Sequence, residues 1–271
     1  MKVFISADIE GVSGVVSWAQ ASPEEPEYQR ARILMTEEVN AAIEGAAAAG
    51  AEEIVVNDSH GPMTNLLIER LSPAAQLISG TPKRLGMMEG IDDSFDAVML
   101  IGYHARMNSG GVLCHTYSGR VNANVNVGGI DSGEFYLNAA VAGSFGVPVV
   151  LVSGDDVLAR EVKAVNDSIG TVTVKEARGR YAGKCLAPVR ARELIRSGAA
   201  AALRRAAEIP PVTVQPPVEL RLTFVNSGQA EAAAIMPRTE LISPNTVLYR
   251  AESAVECYRA EMAMVRIVGT L

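Results

Sequence analysis

Val3-Phe4-Ile5-Ser6-Ala7 runs without a break into Asp8-Ile9-Glu10-Gly11, and Glu53-Ile54-Val55-Val56-Asn57 runs in the same way into Asp58-Ser59-His60. Between the two, residues 11–26 form a loop holding Gly, Ser and Pro. Glu27 to Ala49 then places Leu34, Val39, Ala42, Ile43 and Ala46 near one helical face before Gly50 ends the helix. Strand, helix and strand at this spacing make a βαβ unit, which favours a parallel sheet with a right-handed crossover. The alternation continues: Gln76 to Ser79 and Phe95 to Tyr103 read as strands, and Pro148 to Val152 is nearly all apolar, as a strand buried on both faces is. The expected fold class is therefore α/β, a three-layer αβα domain around a mostly parallel sheet.

Further along, Arg120 to Val127 alternates Val with Asn and reads as a more exposed strand or hairpin arm, and Gly133-Glu134 opens a helix to about Ser144. Thr171 to Lys175 completes the main sheet. From Ala187 the pattern changes to an Ala- and Arg-rich helix reaching about Glu208, a Pro-rich break at Pro210-Pro211 and Pro216-Pro217, a strand over Glu219 to Val225 and a last helix near Ser253 to Val268. The division expected is a three-layer domain over 1–185 and a second, smaller α/β unit over 186–271.

With 271 residues and 48% hydrophobic content, and a mean hydropathy of +0.16, the chain can bury a full core. A formal net charge of -7 argues against a general binder of nucleic acid or anionic membrane and for a small soluble substrate. Arg190, Arg192, Arg196, Arg204 and Arg205 read as a solvated helix surface. No uncharged apolar stretch approaches a membrane span, and the five uncharged residues after Lys2 are too few for a signal-peptide core, so the expected location is cytoplasmic. Cys114, Cys185 and Cys257 are too few and too widely spaced for a disulfide framework and read as reduced thiols. Cys114 and His115 are neighbours on an extended chain and face opposite sides, so a Cys/His nucleophilic pair is not expected.

The chain has three histidines, each in a short polar cluster after a strand-like run: His60, His104 after Ala97 to Tyr103, and His115 after Val112-Leu113-Cys114. Asp8 and Glu10 stand two apart on extended chain and can present two carboxylates to one locus. Each residue alone reads equally as a hydrogen-bonding loop side chain or a solvated acid. In an open parallel sheet, however, the crevice beyond the carboxyl ends of the strands is where ligands bind, and clusters placed there converge. Buried acids at a strand end need partners or a cation. Imidazole with carboxylate suits Zn²⁺, whereas an all-oxygen set suits Mg²⁺ or Ca²⁺, so zinc is the first expectation. Asp155-Asp156 also ends a strand and competes as a metal site; a helix N-cap before Val157 is the better reading.

Ser6-Ala7-Asp8-Ile9-Glu10-Gly11, Asn57-Asp58-Ser59-His60, Gly102-Tyr103-His104-Ala105-Arg106 and Gly133-Glu134 together resemble the family of zinc-dependent D-aminopeptidases of the bacterial dipeptide-transport operon, the DppA type. Met35-Thr36-Glu37-Glu38, Ser153-Gly154-Asp155-Asp156, Lys184-Cys185-Leu186 and Gly228-Gln229-Ala230-Glu231 add to the likeness, so that it spans most of the chain. The resemblance implies two zinc ions per subunit, with Asp8 bridging, Glu10 and His104 completing one site, and His60 and Glu134 completing the other. It also implies a catalytic role for His115, release of an N-terminal D-residue such as D-Ala from short peptides, and a ring-like homodecamer. The likeness is weakest over 12–26 and 116–132. The rival expectations are another dinuclear metal hydrolase, an amidohydrolase or phosphoesterase, for which Arg106 is the obvious anion-binding candidate, and a non-catalytic metal-binding assembly protein.

Overall fold

The opening apolar run forms β1 (Lys2–Ala7). After a short helix α1 (Trp18–Ala21) the chain enters α2 (Tyr28–Ala48) and returns as β2 (Glu53–Asp58), parallel to β1. The structure, a computed structural model, describes residues 1–269. β3 (Gln76–Ile78) and β4 (Ala97–Ile101) extend the same sheet. β5 (Asn122–Val127) and β6 (Ile130–Asp131) leave it, and α3 (Glu134–Ser144), β7 (Val149–Asp155), α4 (Asp156–Val165), β8 (Gly170–Gly179) and β9 (Ala182–Cys185) follow. The remainder comprises α5 (Pro188–Arg204), β10 (Val218–Phe224), α6 (Ser227–Ala233), β11 (Thr239–Ser243), β12 (Thr246–Ala251) and α7 (Ala254–Val268).

The main sheet has the order β3-β2-β1-β4-β7-β8-β9 and is parallel throughout except at the β8–β9 edge. Val3 to Ala7 of β1 and every residue of β4 and β7 are buried, so both faces of the central strands are covered. α2 and α5 pack on each other and on the sheet, and α3 and α4 pack on β7. This is the expected α/β architecture, mostly parallel.

A second sheet, β11-β12-β10-β5-β6, is antiparallel and carries α6 and α7, with α7 also lying against α3. The sheets do not change over after residue 185. Asn122–Val127 and Ile130–Asp131 belong to the second sheet, where alternating Val and Asn suits a sheet with only one face buried. α5 buries Ala191, Ile195 and Ala199 in the first unit, against α2. The main sheet also runs past Lys175: β8 continues to Gly179 and turns back as β9.

One crossing of the chain positions the site. Strand order reverses between β1 and β4, so the loops beyond their carboxyl ends diverge and leave a crevice. At its base the two loops touch: Gly11 N–H donates to Gly102 O at 2.7 Å, and a Cβ on Gly11 would stand 1.8 Å from Tyr103 O. Gly102 has φ +73° and would place a Cβ 2.2 Å from Asp8 O. Glycine at both positions lets the Asp8 and His104 backbones approach this closely.

Candidate metal centre

Six residues from five segments meet in this crevice. Asp8 and Glu10 come from the loop after β1, His60 from the loop after β2, and His104 from the loop after β4. His115 lies on the connection to β5, and Glu134 is the first residue of α3. Asp8, Glu10, His104, His115 and Glu134 are buried and His60 nearly so. Every site residue expected from the sequence is therefore brought to one locus. Asp155 stays outside as the N-cap of α4, its oxygens taken by the N–H groups of Leu158 at 2.8 Å and Val112 at 2.7 Å. Arg106 faces Glu161 at 3.9 Å and does not line the crevice.

The three imidazoles share one device. His60 Nε2–H donates to Ala21 O at 2.7 Å, His104 Nδ1–H to Ala105 O at 3.0 Å and His115 Nδ1–H to Leu113 O at 2.9 Å. Each ring thus commits one nitrogen to a backbone carbonyl and turns the other to the carboxylates, the arrangement that fixes the tautomer of a metal-ligating histidine. His60 Nδ1 lies 2.9 Å from Glu10 Oε2 and 3.3 Å from Asp8 Oδ1; His104 Nε2 lies 3.2 Å from Glu134 Oε1 and 3.6 Å from Asp8 Oδ2. The resemblance grouped His60 with Glu134 and His104 with Glu10; the shortest approaches pair them the other way. His115 Nε2 is more distant, 3.8 Å from both Glu10 Oε1 and Glu134 Oε1, and its ring stacks on that of His104 with centroids 4.0 Å apart.

Asp8 Oδ2, Glu10 Oε2 and His104 Nε2 are buried yet make no hydrogen bond. Glu10 Oε2 and His104 Nε2 have polar neighbours within reach, but off the line a hydrogen bond needs. Such orphaned atoms are costly unless something else satisfies them. Asp8, Glu10 and His104 each offer a ligand atom within 4.8 Å of the others, and so do His104, His115 and Glu134. This mixed nitrogen and oxygen donor set fits zinc; His104 is common to both groups, and Asp8 turns Oδ1 toward His60 and Oδ2 toward His104.

Charge in the cluster is finely divided. Burial, then repulsion from Glu10, pushes the Asp8 carboxyl up to about 8. Burial acts the same way on Glu10 and Glu134, but the neighbouring imidazoles outweigh it and hold both below the usual carboxylate range. His60 and His104 lie well above the usual imidazole value, because Glu10 and Glu134 respectively overcome the effect of burial. His115 moves down, from burial first and the adjacent His104 second.

Surrounding groups hold the ligand-type residues in place. Asp58 accepts N–H bonds from Asn65 at 2.6 Å and Leu66 at 2.7 Å, which ties down the loop carrying His60. Lys175, buried in β8, donates to the carbonyls of Glu10, Val12 and Val15 and so fixes the loop carrying Glu10. Tyr117 N–H donates to Glu134 Oε1 at 2.7 Å. The cluster floors a cavity of about 670 Å³, whose walls include Trp18, Met63, Tyr117, Arg180 and Met262. Trp18 opens the four-residue helix α1 and Arg180 lies in a turn, both too short for periodicity to carry a signal. The nearest signal for Arg180 is its position after Gly179 in a strand-ending sequence.

Fold and centre together define a class: an α/β protein with a buried imidazole–carboxylate cluster built for divalent metal. The chain belongs to the D-aminopeptidase family, peptidase family M55, whose model matches residues 1–263. It is 39% identical over 268 residues to a D-aminopeptidase of Bacillus subtilis (strain 168), an alignment covering 98% of this chain and 97% of that one. Its fold superposes with a TM-score of 0.97 on the Zn-dependent D-aminopeptidase DppA from Bacillus subtilis, a self-compartmentalizing protease, at 38% identity and covering 100% of this chain and 99% of the other.

Proposed function

We propose that this protein is a zinc-dependent aminopeptidase that releases an N-terminal D-residue, such as D-Ala, from short peptides. The observation that carries the reading is the set of buried, unpartnered atoms of Asp8, Glu10 and His104, of which Asp8 and Glu10 line an open cavity. The family membership gives the reaction its class. Asp8, Glu10, His60, His104 and Glu134 would hold the zinc, with Asp8 lying between a Glu10–His60 pair and a His104–Glu134 pair in the shortest approaches of these side chains. Bound zinc supplies Lewis acidity, polarising a scissile carbonyl and lowering the pKa of water toward about 7.

His115 is the catalytic residue. Its Nδ1–H is committed to Leu113 O, so Nε2 presents a lone pair to the cluster. With its pKa held below the usual imidazole value the ring is neutral at pH 7, and Nε2 takes the proton of the attacking water and passes it to the departing amine. The protein acts as a cytoplasmic homo-oligomer. The free thiols of Cys114, Cys185 and Cys257 suit a reducing compartment, and the self-compartmentalizing character of the Bacillus subtilis relative supports a ring-like assembly, a homodecamer by the original resemblance. No helix among the described residues is long and apolar enough to cross a membrane.

Paired D- and L-peptides, assayed with and without a chelator, test the reading. Metal-dependent cleavage of D-Ala peptides with little on the L-forms is expected. Equal rates after exhaustive chelation exclude a metal enzyme, and turnover confined to phosphate esters returns the phosphoesterase alternative.

Zinc uptake is also expected to release protons. In the metal-free protein His60 and His104 hold theirs well above pH 6.5 and Asp8 up to about 8, whereas ligation needs neutral imidazole and ionised carboxylate. Apparent affinity therefore rises with pH between about 6 and 8, and calorimetry in buffers of different ionisation enthalpy counts the protons. Raised folded-state pKa values stabilise the metal-free fold below the unfolded values, and that contribution is lost as pH climbs through the folded ones. Chelated protein should accordingly melt at lower temperature at pH 8 than at pH 6; the reverse order contradicts the assignment.

A further inference from the structure

Arg180 sits at the tip of the β8–β9 hairpin, where Leu113 N–H donates to its carbonyl at 2.7 Å. Its guanidinium has no carboxylate within 4.0 Å among the described residues, and its Nε is buried without a hydrogen-bond partner. The contacts of the head group are weak ones, Met107 Sδ at 4.0 Å from Nη2 and the Tyr181 ring at 5.7 Å. Nearby arginines behave otherwise: Arg178 pairs with Glu176 at 2.8 Å and Arg196 with Glu44 at 2.7 Å. A half-buried guanidinium left without an anion is energetically costly, and its planar fork matches a carboxylate.

Arg180 lines the same cavity as the metal cluster. A Cβ on Gly119 would stand 3.3 Å from His115 Cβ and 3.4 Å from Arg180 Nη2, so the cation lies beside the residue that carries the proposed catalytic imidazole. Resting on the peptidase reading above, we propose that Arg180 binds the C-terminal carboxylate of the peptide substrate and restricts the site to short free peptides. Acids floor the cavity and Arg180 stands on its wall with the exposed Arg120 and Arg266, the polarity a zwitterionic peptide meets with its amine toward the cluster; Arg180 is the half-buried one of the three. An extended dipeptide spans at most about 7 Å and a tripeptide about 11 Å, so a carboxylate anchor on the wall of this cavity selects peptides by length.

The test compares a D-Ala dipeptide with its C-terminal amide on the zinc-loaded protein and on Arg180→Met. The wild type should favour the free acid by about 10- to 100-fold in kcat/KM, the scale of a charge-assisted hydrogen bond. Arg180→Met should bring the acid down to the amide through KM, and Arg180→Lys should restore part of the preference. A preference that survives in Arg180→Met, or a fall of both forms by the same factor through kcat, overturns the proposal. Calorimetric titration of the same pair onto chelated protein separates this inference from the peptidase reading. Tighter binding of the acid that is lost in Arg180→Met supports the anchor even if the loaded protein cleaves neither peptide, and equal binding sinks the anchor while leaving turnover untouched.

Discussion

His115→Ala is expected to keep the fold and both zinc ions while losing on the order of 10²- to 10⁴-fold in kcat, the range for removal of a general acid-base group. The reasoning is geometric. His115 Nε2 stands 3.8 Å from the nearest carboxylate oxygens, whereas His60 approaches Glu10 to 2.9 Å and His104 approaches Glu134 to 3.2 Å. His115 is the most distant of the three imidazoles from the carboxylates, its ring stacked on His104 and in a T-shaped contact with Trp18. Metal content and kcat must be measured on the same preparation. Wild-type turnover, or loss of zinc comparable to that of a ligand variant, would show that the proton-transfer role is misassigned.

The second large effect is on the metal itself. His60→Ala and His104→Ala should each abolish measurable peptide hydrolysis and each lower the zinc content from two equivalents to one, because each strips a different site. Paired substitutions decide the grouping. His104→Ala with Glu134→Ala empties one site and leaves one equivalent; His60→Ala with Glu134→Ala damages both and leaves none. Elemental analysis reads the difference directly. The opposite pattern would restore the arrangement that groups His60 with Glu134.

Much of this was legible because the main sheet is parallel and deeply buried. β1, β2, β4 and β7 announce themselves as apolar runs, and a ligand-type residue at the end of a buried strand has few other reasons to be there. That logic reached Asp8, Glu10, His60 and His104; the run before His115 forms a turn and no strand, and Glu134, at the head of α3, came from the family resemblance. The grouping of ligands depends on the turn angles of separate loops, which local pattern does not carry. The second sheet was harder to see. β11 exposes Glu240, Leu241 and Ile242 in succession, so no alternation marks it as a strand. Residues 122–131 carry the right alternation, but their pairing with β10, far along the chain, is a tertiary fact that local pattern cannot reveal. Arg180 escaped notice because a hairpin tip has no periodicity, and an arginine there reads as solvent-facing until its neighbours are known.

The crossing at Gly11 and Gly102 has a consequence for how the molecule comes to exist. Side chains numbered 8, 10, 60, 104 and 134 converge, so a cation held between them acts as a clasp on long stretches of otherwise independent chain. Closing such loops is entropically expensive for a random coil, and the expense grows only slowly with their length. Here the hydrophobic sheet meets it first, by seating β1 between β2 and β4. Three carboxylates are then crowded together before any cation arrives, and the chain tolerates this because two imidazoles hold protons among them. Those protons serve as a placeholder charge. Zinc uptake is then an exchange of these protons for metal, and the clasp it closes is pH-dependent.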